Sequence, residues 1–135
     1  MKTIVVSNNP LVLDRWGKRF SVHYVDGSAQ DVLQAVRDLC HRGHRLLSHP
    51  LSGSIKPDET PYKSVLLSDP SCGTDPDSIQ LIEKAVEVWN RFGPIRREWR
   101  EKELLDFQLV DESLFAGAAD SAADDLMYIN EQKGR

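Results

Sequence analysis

A short run that is apolar on both faces of an extended strand constrains this chain more than any other feature. Ile4-Val5-Val6, closed by the punctuation Ser7-Asn8-Asn9-Pro10, belongs in the interior of a sheet with cover on both sides. The segments around it suggest what supplies that cover. Residues 10 to 17 suit a short helix with Leu11, Leu13 and Trp16 as contacts and Gly17 as its close. Phe20, Val22 and Tyr24 alternate with Ser21 and His23, a period-two pattern for a half-buried strand nearer an edge, with His23 outward.

The clearest helix opens at Ser28, whose hydroxyl caps free amides while Asp31 sits in the positive first turn. Val32, Leu33, Val36, Leu39 and Cys40 cover one face, and Arg42-Gly43 ends it. Leu46-Leu47, running into His49-Pro50, predicts a third strand, and Ser64-Val65-Leu66-Leu67-Ser68 a fourth. A second helix follows a cap at Thr74 or Asp75, with Pro76 in its first turn, Ile79, Ile82, Val86 and Trp89 on one stripe, and Gly93-Pro94 as its stop. Charge alternates over residues 96–103, as on a solvated helical face, and apolar residues from Leu104 to Phe115 suggest a further helix. The order predicts an α/β fold: a single-domain sandwich over residues 1–117 with a mostly parallel, Rossmann-like sheet of about four or more strands. Residues 118–135, rich in Ala and Asp, suit a weak helix or a mobile tail.

Composition narrows the function classes. With 135 residues the chain is one ordinary domain, and 17 Lys+Arg against 21 Asp+Glu give a net charge of −4. That balance argues against a nucleic-acid partner, and no apolar run reaches the ~20 residues that span a bilayer. The start Met1-Lys2-Thr3 does not resemble a secretion signal, and two cysteines, Cys40 and Cys72, fit reduced thiols in the cytoplasm. No cofactor motif is present: the Gly-x-Gly-x-x-Gly and phosphate-loop spacings are both missing. Cys40, His41 and His44 straddle a helix end without a fourth ligand, so no metal site is expected.

The segment from His49 to Tyr62, with three prolines and one glycine, suits neither helix nor ladder. Structureless loops of that length are uncommon in compact domains and are often functional. Within it and at its exit, His49, Ser52, Gly53, Ser54, Lys56 and Lys63 combine hydroxyls, backbone amides and cations suited to phosphate or carboxylate recognition. In a parallel sheet the turn at Asn8 and Asn9 would leave the same edge as this loop, so these residues complete the candidate ligand site. The alternative is a small enzyme acting on an acyl or phosphorylated metabolite, with His49 as acid or base and Ser52 or Lys56 orienting the substrate.

The string Gly43-His44-Arg45-Leu46-Leu47-Ser48-His49-Pro50-Leu51-Ser52-Gly53-Ser54-Ile55-Lys56-Pro57, with Glu59-Thr60-Pro61-Tyr62-Lys63-Ser64 after it, resembles the GrdX family. These are small proteins encoded beside glycine, sarcosine and betaine reductase components. Ser7-Asn8-Asn9-Pro10-Leu11 and Leu105-Asp106-Phe107-Gln108-Leu109 carry the same likeness, which covers about residues 2 to 115. The resemblance implies an accessory role around selenium- and thiol-dependent amino-acid reduction, with a reductase component or a small anionic metabolite as partner. It does not imply the reduction itself, since the chain has no selenocysteine and no Cys-x-x-Cys pair.

Overall fold

Val5 and Val6 are both fully buried, and consecutive residues of a strand point to opposite faces, so the sheet has a core on each side. The computed structural model describes residues 3–51, 60–70, 73–92 and 98–133. In order these form β1 (Ile4–Ser7), α1 (Pro10–Trp16), β2 (Ser21–Tyr24), α2 (Ala29–His41), β3 (Ser64–Leu67), α3 (Pro76–Phe92) and α4 (Glu101–Lys133). One core joins Val6, Val65 and Leu67 of the sheet to Val32, Leu33 and Val36 of α2 and Ile82, Val86 and Trp89 of α3. The other joins Val5 and Leu66 to Val12 and Trp16 of α1 and Phe115 and Ala119 of α4. Trp16, Phe20 and Phe115 meet there as an aromatic cluster, Trp16 and Phe115 edge to face at 5.2 Å.

Local chemistry accounts for the helix limits. Ser28 and Asp31 close a reciprocal capping box at the start of α2, and Gly43 beyond its end takes the left-handed φ of 104°. Asn9 caps α1, with Pro10 at its first position. The Gly93-Pro94 stop expected for α3 lies outside the described residues.

The sheet corrects the expected architecture. The chain is α/β, but among the described residues the sheet has three strands in the order β2-β1-β3 and is mixed: β1 pairs with β2 in parallel and with β3 antiparallel. It is not a mostly parallel, Rossmann-like sheet of four or more strands. The expected strand at Leu46-Leu47 makes one isolated antiparallel bridge, Leu46 to Leu67. Backbone bonds flank that bridge, the Leu47 and Ser68 amides donating to the Leu66 and Arg45 carbonyls at 2.8 and 2.9 Å, but the Leu66 amide goes to Ser48 Oγ and the Leu46 amide, on the far side from β3, to Ser78 Oγ, both at 2.9 Å. The chain then returns through the 49–62 segment to run back along this stretch, so β3 arrives antiparallel without the crossover that a parallel partner needs.

Leu33 is 1% exposed between α2, α3 and the sheet. Leu33→Ala is expected to lower the unfolding free energy by about 2–5 kcal/mol, read from urea denaturation midpoints.

Candidate functional site

The carboxyl end of β1 is where four elements meet. The two asparagines there divide the work. Asn8 holds the returning loop: its amide donates to the Lys63 carbonyl at 3.4 Å, its Oδ1 accepts from the Lys63 amide at 2.9 Å, and its Nδ2 donates to the carbonyls of Pro61 and Gly27 at 2.9 and 3.0 Å. Asn9 holds the helices. Its Oδ1 accepts from the Leu11 amide at the start of α1, and its Nδ2 donates to the Gln108 carbonyl and to Asp111 Oδ2 on α4, each at 3.0 Å.

Asp111 lies at the centre. Ser64 Oγ donates to Asp111 Oδ2 at 2.7 Å and has no second proton, so the 2.7 Å contact between Ser7 and Ser64 is a donation from Ser7. Ser7 Oγ in turn accepts from the Asn9 amide at 3.0 Å. Asn9, Ser7, Ser64 and Asp111 therefore form a closed ring in which every donor has one direction. Burial raises the Asp111 carboxyl above its ordinary 3.8, against the opposing pull of Asn9, Ser64 and the Lys63 charge. Lys63 is likewise buried, and desolvation lowers its ammonium below the usual range although Asp111 opposes the shift. Among the described residues no ion pair within 4.0 Å involves Lys63.

Lys63 and Asp111 border a cavity of about 20 Å³, room for about one water. Ser48, Thr60, Tyr62 and Ser64 make up the rest of its polar side, and Trp89, Leu114 and Phe115 its apolar side. Tyr62 is fixed in turn, its hydroxyl accepting from Gln108 Nε2 at 2.9 Å. The arrangement presents a cation, a carboxylate and several hydroxyls to one small space.

Of the residues expected to bind a ligand, Asn8, Asn9 and Lys63 come together here. His49 is exposed, and its Nδ1 accepts from the Leu51 amide at 3.0 Å. In the neutral ring that places the proton on Nε2, which stays available to donate. Ser52, Gly53, Ser54 and Lys56 lie outside the described residues, as does Cys72. Cys40, His41 and His44 turn to different partners: Cys40 is in the core, where burial pushes its thiol up to about 11, His41 meets Glu83 at 3.1 Å, and His44 Nδ1 meets the Ser68 carbonyl at 2.8 Å. Among the described residues no group of three or more His, Cys, Asp or Glu side chains is placed to hold a metal ion. Nor is any helix among them long and apolar enough to cross a membrane.

Asp111, Ser7 and Ser64 were not among the expected site residues. A signal for Asp111 exists, since Phe107, Asp111, Phe115 and Ala119 recur every four residues and place a carboxylate on the buried stripe of α4.

The family model described as GrdX-like protein matches residues 4–120, a span that holds the whole site. The chain belongs to the GrdX-like family. No match was found among curated proteins or among solved structures. For this GrdX-like chain the matched span runs from β1 to the first half of α4, and so includes both asparagines, Lys63, Ser64 and Asp111.

The raised carboxyl has a pH signature. The folded chain keeps the Asp111 proton at a pH where the unfolded chain has lost it, so this group favours folding most below 3.8 and the contribution is lost as pH rises through the raised folded value. Asp111→Asn keeps the shape and removes the titration. Denaturation at a series of pH values should show wild type gaining on Asp111→Asn as pH falls from neutrality toward 3.8.

Proposed function

We propose that this chain is a cytoplasmic, noncatalytic accessory protein of glycine, sarcosine and betaine reductase systems, and that it recognises a small anionic metabolite at the foot of the 49–63 loop. Lys63 carries the reading: it is a buried cation with no ion pair among the described residues, beside a small cavity lined by the hydroxyls of Ser48, Thr60, Tyr62 and Ser64. Asp111 faces the same space, but its Oδ2 already accepts from Asn9 and Ser64 and is committed to holding the helices. A carboxylate or phosphate oxygen arriving from the loop side would supply Lys63 with the charge-assisted bond that desolvation makes worth having. The family membership supports the accessory role. The enzyme alternative would rest on His49, whose Nδ1 accepts from the Leu51 amide and whose Nε2 would then serve as the acid.

Calorimetric titration with glycine, acetate, acetyl phosphate and inorganic phosphate tests this. At least one should bind wild type, and Lys63→Gln should weaken that binding by about tenfold or more, the loss expected for one charged hydrogen bond, while His49→Ala leaves it unchanged. Equal affinity in wild type and Lys63→Gln would refute the site. Turnover of acetyl phosphate by the purified protein, lost in His49→Ala, would replace the accessory reading with the enzyme.

A further inference from the structure

The outer edge of β2 is open. In the parallel pair with β1, the Ser21 amide donates to the Thr3 carbonyl at 3.3 Å and the Val25 amide to the Ser7 carbonyl at 2.8 Å, so Ser21, His23 and Val25 aim their backbone groups inward. The intervening Val22 and Tyr24 therefore aim their amides and carbonyls away from the sheet. In the order β2-β1-β3, no strand among the described residues lies on that side of them. Ser21, His23 and Tyr24 are exposed along this edge.

Unpaired edges template the addition of another strand, and proteins usually blunt them with charge or cover them. Here the charge is arranged asymmetrically. Lys18 and Arg19 precede the strand and Asp26 follows it, all three exposed. The Arg19 guanidinium is already parked 5.7 Å from the centre of the Phe20 ring. Lys18 and Asp26 have no ion-pair partner among the described residues.

From this geometry we infer that β2 is the interface of a two-fold homodimer, in which the β2 strands of two copies pair antiparallel about His23. In that register Val22 of one copy lies opposite Tyr24 of the other. Each such pair exchanges two backbone bonds, so the two-fold axis satisfies all the outward amides and carbonyls of Val22 and Tyr24 at once. The same register sets Phe20 opposite Asp26 of the second copy. Lys18 of each copy then lies beside the carboxylate of the other, and the charge pattern that would repel a parallel neighbour becomes complementary twice over. An edge strand from an unrelated protein would satisfy the backbone, but nothing would make the basic end and the acidic end match together. The product is a continuous sheet with the order β3-β1-β2-β2-β1-β3, its only new contacts at the two inner strands.

Amide hydrogen exchange on the purified chain, compared between dilute and concentrated samples, reads the interface directly. The Val22 and Tyr24 amides should gain protection with concentration, whereas those of Ser21, His23 and Val25 should be protected in both samples. Sedimentation velocity should show a dimer that weakens as salt is raised. Asp26→Lys should raise the dissociation constant several-fold, and the exchange Lys18→Asp with Asp26→Lys should recover it. Tyr24→Pro deletes an outward amide and should leave a folded monomer; the exchange data decide the question if that variant does not fold. A monomer at every concentration, protection of Val22 and Tyr24 that does not change with concentration, or a dimer indifferent to Asp26→Lys would overturn the inference.

Discussion

The structure depends on a buried carboxylate that no single element could accommodate. Asp111 is 9% exposed, and an ionised group in that position costs several kcal/mol unless it is fully hydrogen-bonded. Its donors come from elsewhere in the chain: Nδ2 of Asn9 after β1, and Oγ of Ser64 at the start of β3. Those donors are positioned in turn by the strand register, which sets Ser7 opposite Ser64, and by the cap that Asn9 makes on α1. The satisfied ring is thus a test of whole-fold geometry. A slip of one residue in β3 would turn Ser64 to the other face and leave the carboxylate short of a donor.

The ring also explains how a sheet of three four-residue strands supports two cores. Short strands have few ladder bonds, and in this sheet the ladder is extended at its margins by side chains: Ser48 and Ser78 bond backbone amides beside β3, and Asn8 continues the β1–β3 pairing past Ser7 by bonding both backbone groups of Lys63. Each such bond pins a connection as well as a strand. The 49–63 segment is consequently fixed at its exit, through Pro61 and Lys63.

The legible and illegible parts of the fold separate along the same line. Helix α2 could be read from residues a few positions apart, because the Ser28–Asp31 box and the stripe from Val32 to Cys40 are local. The pairing of β1, β2 and β3 could be anticipated as strands but not in direction. Leu46-Leu47 has the apolarity of a strand, yet its ladder stops at one bridge because the Leu66 amide, 18 residues on from Ser48, goes to the Ser48 hydroxyl instead of a backbone carbonyl. Of the candidate site, Asn8 and Asn9 were visible as punctuation after an apolar run, and Lys63 as the cation closing the loop. Asp111 was hidden by its neighbours. Leu105, Leu109, Val110 and Leu114 look like the core face of α4 but are exposed, and the buried positions are those of Asp111, Phe115 and Ala119, with Phe107 half-buried on the same stripe.

The two charged groups at the site are held by the fold in different ways. Asp111 accepts from both Asn9 and Ser64 at Oδ2, which leaves Oδ1 as the oxygen that can take up a proton without turning those donors away. Lys63 is under the opposite constraint: its backbone is held by Asn8, but its ammonium has no fixed partner among the described residues and faces the cavity. One member of the pair is tied to the fold by its side chain, the other by its backbone. Burial raises the Asp111 carboxyl and lowers the Lys63 ammonium, and the charge of each opposes the other's shift, so each group draws its neighbour back toward the ionised form against the pull of desolvation.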